Sequence, residues 1–385
     1  MFCFMNKLPL YARRIPEFKK RVVRMKWNVK KMPKWWPGVK DKWVVVSEGD
    51  SWFDFPLKSL TEYFGLALKK LIGLQGFSID DKTNVIDHLA TDKKLDLQLL
   101  RIERSGDVSS ELAAAEPDQR GGVKEKDYPS ATLTMVLKER EIAKHMDLIL
   151  LSAGGNDMVN HAQKHSIQDY NGQWSTSCDP EALKNEAQKI TDNFVAALKI
   201  RDQYAPQACV ITHSYCNAIH TSRGTPVVFD LTAVKRLVDF LVPFFGIRWL
   251  EPVMKTMGIN IKGEYTLDHE AHLHQVFDKH HWPKNEGETV HPERAAFIQL
   301  MLETLQAAML QIPNKYHAQT GKVLTRFEFI DIFHECQAPE YWTDYIHLNT
   351  KGYSKVAKHF RARMQDAMAG RYTQYNAPDP IQAAS

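Results

Sequence analysis

Trp43-Val44-Val45-Val46-Ser47-Glu48-Gly49-Asp50-Ser51-Trp52 is an apolar run that stops abruptly in a polar turn. A run this short, apolar at consecutive positions, suits a strand buried on both faces. Four more runs of the same kind follow at 97–102, 147–152, 208–212 and 327–332. Between them the spacing predicts helices at about 57–73, 131–145, 181–204 and 291–310, and a last helix follows at 350–368. Strand and helix in alternation give a doubly wound α/β domain with a five-stranded parallel sheet. Ligands on such sheets bind beyond the carboxyl ends of the strands. The polar residues after each run are therefore the candidates for chemistry.

Three of those strand ends carry a usable set. After the first, Gly49 permits a tight turn and Ser51 stands between a strand and a helix start near Pro56. Amides and a helix dipole at such a place can stabilise an oxyanion. After the third run comes Ser152-Ala153-Gly154-Gly155-Asn156-Asp157. Its glycines let the backbone come close to a ligand, and the Asn156 side-chain amide is a usual oxyanion donor. After the fifth comes Thr343-Asp344-Tyr345-Ile346-His347. The Asp-x-x-His spacing lets one loop supply a general base, His347, and its orienting carboxylate, Asp344. Each signal alone is weak: a serine turn, a capped helix start and a surface histidine are common. Their combination at the ends of neighbouring parallel strands is specific.

GDS at Gly49–Ser51, GGND at Gly154–Asp157 and DxxH at Asp344–His347 resemble three sequence blocks of the SGNH/GDSL serine hydrolases. The remaining block, a glycine after the second strand, matches Gly106. The resemblance implies a three-layer αβα sandwich of flavodoxin-like type. It implies a triad of Ser51, His347 and Asp344, and an oxyanion hole of the Ser51 and Gly106 amides with the Asn156 side chain. No cofactor and no metal are expected. The extended stretches GDSWFDFP and WTDYIHLNTKGY look like a bacterial subgroup of GDSL-type esterases. The activity implied is carboxylic-ester hydrolysis through an acyl-enzyme, on acyl lipids or, alternatively, on acetylated carbohydrates. The lipase pentapeptide G-x-S-x-G is absent, which argues against an ordinary α/β-hydrolase.

The rest of the chain frames this domain. Residues 1–42 form a basic arm, in which thirteen Lys and Arg between Lys7 and Lys42 face only Glu17 and Asp41. Such an arm can bring a protein to an anionic membrane surface. With Trp27, Trp35 and Trp36 it could also serve a non-catalytic membrane or nucleic-acid binder, but no nucleic-acid motif accompanies it and none is expected to bind. The hydrolase domain is expected over 43–371. It is interrupted by an insertion at about 217–292, whose apolar segment 234–257 reads as a helical cap or a packed helix pair. Trp52, Phe240 and Phe244 are the expected substrate-binding residues. The acid- and histidine-rich segment 268–281 reads as a surface helix rather than a metal site, because its spacing is not H-E-x-x-H. Residues 372–385 read as a flexible tail. Five scattered cysteines give no disulfide framework. With no apolar stretch of signal-peptide type, a cytoplasmic location is expected, with membrane association or export by a non-Sec route as alternatives.

Overall fold

The computed structural model describes residues 22–24, 42–50, 52–53, 84–103, 108–115, 131–218, 272–287, 289–343 and 345–376. The strands are β1 (Val22–Arg24), β2 (Trp43–Gly49), β3 (Leu97–Arg101), β4 (Leu148–Ser152), β5 (Cys209–His213) and β6 (Phe327–Ile330). They form one sheet in the order β1-β3-β2-β4-β5-β6, every pair parallel. The five predicted runs are β2 to β6. β1 is a three-residue edge strand added from within the basic arm, where the sequence reading placed none.

The described helices are α1 (Val85–Ala90), α2 (Leu133–Lys138), α3 (Arg140–Ala143), α4 (Gly155–His161), α5 (Pro180–Tyr204), α6 (His272–Lys279), α7 (Pro292–Leu310), α8 (Ile312–Thr320) and α9 (Thr350–Met368). They form two layers. α9 packs on α1, β5 and β6, whereas α2, α4, α7 and α8 gather around α5. Right-handed crossovers explain the division. The β2-to-β3 connection runs outward from the sheet centre, and the later connections run the other way on the opposite face. The result is a three-layer αβα sandwich.

The long helices are specified by their caps and apolar stripes. Asp179 accepts the Ala182 amide at 2.9 Å with Pro180 in the first turn of α5. Asn349 accepts the amides of Lys351 and Gly352 at the start of α9. Tyr353, Val356, Phe360 and Met364 then bury one stripe of that helix. The helix expected at 131–145 is broken at Glu139, whose backbone is extended. In an unbroken helix Ile142 would lie roughly opposite the Val136–Leu137 face. The one-residue break re-phases the chain so that Ile142 and Ala143 are buried as well.

Two peripheral expectations are refined. The described part of the histidine-rich segment is a helix at the surface with one face buried, Gln275, Asp278 and Lys279 being exposed. α6 buries Leu273 and Phe277, and His274 is also buried, because this end of the insertion packs against Trp282 and Phe297. The tail is docked as far as Tyr375: Thr373 donates to Glu328 through both its amide and its hydroxyl, and Tyr375 packs on Phe327. No single described helix is long and apolar enough to cross a membrane. Residues 219–271, with Phe240 and Phe244, lie outside the described residues, as does most of the basic arm.

Candidate active site

From β2 the chain moves to β3 on one side and returns to β4 on the other, so the carboxyl ends of β2 and β4 flank the switch point of the sheet. There Gly49 pairs with Ser152. Gly49 has φ 150°, and a Cβ on it would lie 2.3 Å from the Ser152 carbonyl oxygen. Only glycine lets the two strands end this close together. The next amide, of Asp50, donates to that carbonyl at 2.9 Å.

Asp50 is buried, and its carboxyl is the centre of a polar network. Oδ1 lies 2.8 Å from Ser152 Oγ and accepts the Trp52 amide at 3.1 Å. Oδ2 accepts the Tyr215 hydroxyl. Ser152 Oγ is also 3.0 Å from His213 Nε2, and His213 Nδ1 is 2.6 Å from the Ser214 carbonyl.

Counting hydrogens fixes the protonation. A carbonyl only accepts, so Nδ1 carries hydrogen and, in a neutral ring, Nε2 accepts from Ser152. The single Ser152 hydrogen is then used, and the Asp50–Ser152 contact closes only if Asp50 supplies the hydrogen. An imidazolium with an ionised Asp50 has the same count. Burial decides between them: it raises Asp50 to about 6, against the lowering effect of its hydrogen bonds and of His347, and it lowers His213 to about 4. Below about pH 6 the extra proton sits on Asp50; above it the carboxyl ionises. With both ring nitrogens engaged, His213 offers no free nitrogen as a general base.

On the β3 side the same turn is held by charge. Buried Arg101 pairs with Asp87 at 2.7 Å and with Glu103, and its third nitrogen donates to the Phe53 carbonyl at 3.1 Å. Ser47 donates to the other Glu103 oxygen at 2.7 Å.

The GGND block forms the start of α4. A Cβ on Gly155 would meet the Tyr215 ring at 2.9 Å, so glycine is needed for close packing there. Asn156 lies in the first turn, half-buried. Asp157 accepts the Ser109 amide at 2.9 Å and the Ser109 hydroxyl at 2.7 Å. It thereby anchors the chain three residues beyond Gly106. Burial raises its carboxyl, which those bonds counteract.

His347 is buried in a loop braced at several points. Trp342 pairs with Leu348, its indole donates to the Cys336 carbonyl at 2.8 Å, and the Thr343 amide donates to the His347 carbonyl at 2.9 Å. The Trp52 indole donates to the Ile346 carbonyl at 3.1 Å, and its ring packs against His213, Tyr215 and Tyr353. One hydrogen bond thus joins the turn that contains Ser51 to the loop that contains His347. Ser51, Gly106 and Asp344 themselves lie outside the described residues.

A chamber of ≈ 40 Å³ opens beside these loops. Asp50 and Trp52, the chain neighbours of Ser51, form one wall, and Gly155 and Asn156 another. Tyr345 and Ile346 close a third side, and Val159, Leu273, Ile298, Met301 and Leu302 make the floor apolar. Trp52, one of the expected substrate-binding residues, lines this chamber. A larger open cleft of ≈ 570 Å³ between Tyr341 and the lysines of α9 contains none of the candidate residues. Among the described residues no group of three or more His, Cys, Asp or Glu side chains could hold a metal ion.

Sequence reasoning did not assign roles to Arg101, Asp157, Ser152 and Tyr215. A signal existed for two of them. Arg101 and Ser152 are polar residues closing apolar runs, and a polar side chain at that position must find buried partners.

No family model matches the chain, and no curated protein matches it. Solved structures do. A lipase from a goat rumen metagenome is 12% identical, with 83% of this chain and 97% of that chain covered and a TM-score of 0.38. An extracellular lipase from Streptomyces rimosus is 13% identical, with 83% and 99% covered and a TM-score of 0.40. An acetyl xylan esterase from Butyrivibrio proteoclasticus is 11% identical, with 86% and 65% covered and a TM-score of 0.40.

Proposed function

We propose that the chain is a carboxylic-ester hydrolase of the SGNH/GDSL type, with Ser51 as nucleophile, His347 as general base and Asp344 as the orienting carboxylate. One observation carries the reading. The chain neighbours of Ser51, Asn156, and the two residues before His347 all line a single chamber at the switch point of the sheet. Three blocks more than a hundred residues apart in sequence contribute to the lining of one chamber, which supports a shared reaction site.

In this mechanism the Ser51 hydroxyl attacks the ester carbonyl while His347 takes its proton. The oxyanion is held by the Asn156 side chain and by the amides of Ser51 and Gly106. Collapse expels the alcohol, which takes the proton back from His347. Water, deprotonated by His347, then releases the acid from Ser51. Asp344 holds the imidazole tautomer throughout.

Two measurements test this. A fluorophosphonate probe followed by mass spectrometry is expected to label Ser51 and to fail on Ser51→Ala; label on another serine would remove the assignment. Asn156→Ala is expected to lower kcat about 10²–10³-fold with a smaller change in KM. An effect confined to KM would make Asn156 a binding residue only.

The acyl-lipid form of the reading rests on the apolar segment 234–257 and the acetyl-carbohydrate form on a short acyl group. The basic arm is proposed to add affinity for anionic membranes, tested by salt-dependent binding to anionic vesicles against DNA.

A further inference from the structure

We propose that the chamber beside Asn156 is the acyl pocket and that it admits only short acyl groups of about two to four carbons, making the substrate a short-chain acyl ester. The proposal rests on the ester-hydrolase reading and adds the substrate class to it.

The side of the reacting bond follows from which groups face the chamber. Asn156, the proposed oxyanion donor, lines it, and so do both chain neighbours of Ser51. His347, which must return a proton to the departing alcohol, is not among its walls, although Tyr345 and Ile346 are. An acyl group bonded to the nucleophile, with its oxygen toward Asn156, therefore extends into the chamber. The alcohol leaves on the other side, past His347.

The chemistry of the floor agrees. Val159, Ile298, Met301 and Leu302 offer no charge and no hydrogen-bonding group. The lining Asp50 carboxyl and Tyr215 hydroxyl are bonded to each other, which leaves the apolar side chains to receive a methyl or short alkyl group.

Size sets the limit. An apolar cavity that takes benzene measures about 150 Å³. This chamber, at ≈ 40 Å³, has room for an acetyl to butyryl group. The floor side chains are held by the fold: Met301 and Ile298 are nearly fully buried on α7, and α7 packs along α5. A close-packed helix pair does not move aside for a long chain without loss of core contacts.

The test uses the full-length protein and p-nitrophenyl acetate, butyrate and octanoate. The wild type is expected to hydrolyse acetate or butyrate with at least tenfold higher kcat/KM than octanoate, since each misfit methylene in a pocket costs about tenfold or more. Met301→Ala, which lengthens the chamber, is expected to raise the octanoate-to-acetate ratio about tenfold. Val159→Ala, at a half-buried position, makes the same test with less risk to folding. Octanoate equal to or better than acetate in the wild type overturns the pocket assignment. An unchanged ratio in folded Val159→Ala and Met301→Ala also overturns it. Fluorophosphonate labelling of Ser51 in the same samples separates the two levels. Label with no short-chain preference removes the pocket alone, whereas no label and no turnover of any ester removes the hydrolase reading beneath it.

Discussion

The turn after β2 is gripped from two sides by opposite means. Toward β3, Arg101 holds it with an ionised cluster that includes Asp87 and Glu103. Toward β4 and β5, Asp50 holds it through Ser152, Tyr215 and His213, in a network that below about pH 6 holds one extra proton and no net charge. Both clusters are buried, yet they answer to different variables. The ionic side depends on the Arg101 guanidinium staying between its two carboxylates, and the other side depends on where one proton sits. The turn beside a proposed nucleophile can thus be fixed to the sheet without placing an ionised carboxylate against it at mildly acidic pH.

The largest expected effect breaks the ionic side. Arg101→Met removes the cation from between two buried carboxylates and should destabilise the fold by about 3–5 kcal/mol. Urea unfolding at pH 7 measures it, and a loss under 1 kcal/mol would mean the cluster is wetter than its burial implies.

The second experiment sharpens the neutral side. Burial raises Asp50 from 3.8 to about 6, so stability from its protonated form is present at low pH and lost as pH rises through about 6. Burial lowers His213 from 6.5 to about 4, so stability from its neutral form is present at higher pH and lost as pH falls toward 4. Between pH 4 and 6 the unfolded chain carries the proton on histidine and the folded chain carries it on aspartate. The two slopes oppose each other, and this pair should add little pH dependence to the wild type. Asp50→Asn uncovers the histidine alone. Its stability should rise by about 3 kcal/mol from pH 4 to pH 6.5 relative to wild type. Parallel curves for the two proteins would refute the shared proton.

A smaller effect is expected at the bond between the two loops. Trp52→Phe keeps most of the ring packing and loses the donor to the Ile346 carbonyl, at about 1 kcal/mol. Activity should fall further than stability, roughly ten- to a hundredfold in kcat, because small misplacements of reacting groups are costly. Equal, modest losses in both would leave Trp52 as a packing residue.

What the sequence disclosed follows from the range of the forces involved. β2 to β6 were legible because a strand buried on both faces must be apolar at consecutive positions. α5, α7 and α9 were legible because a long helix repeats its pattern and carries its own cap. α1 and α4 were not, since six or seven residues hold too few turns to show a period. β1 was hidden because three residues in a lysine-rich stretch make a strand only when β3 supplies the partner. At the site, the blocks containing Ser51, Asn156 and His347 could be read as local patterns. The chamber could not: its floor comes from α4, α6 and α7, which only the crossover connections bring together. The expected substrate residues Phe240 and Phe244 were inferred from local apolar density, which says nothing about what that density faces.

The docked segment after α9 has a consequence for how the molecule behaves among its own copies. β6 is the last strand of the sheet, and an exposed last strand is a template for another chain. Tyr372, Thr373 and Tyr375 lie against that strand and the residue before it: Tyr372 accepts from Arg326, Thr373 binds Glu328 and Tyr375 packs on Phe327. Residues 372–376 thus act as a guard rail along an otherwise adhesive border. A version of the protein cut short at Arg371 would lose the guard before it lost the fold, and self-association would be its first symptom.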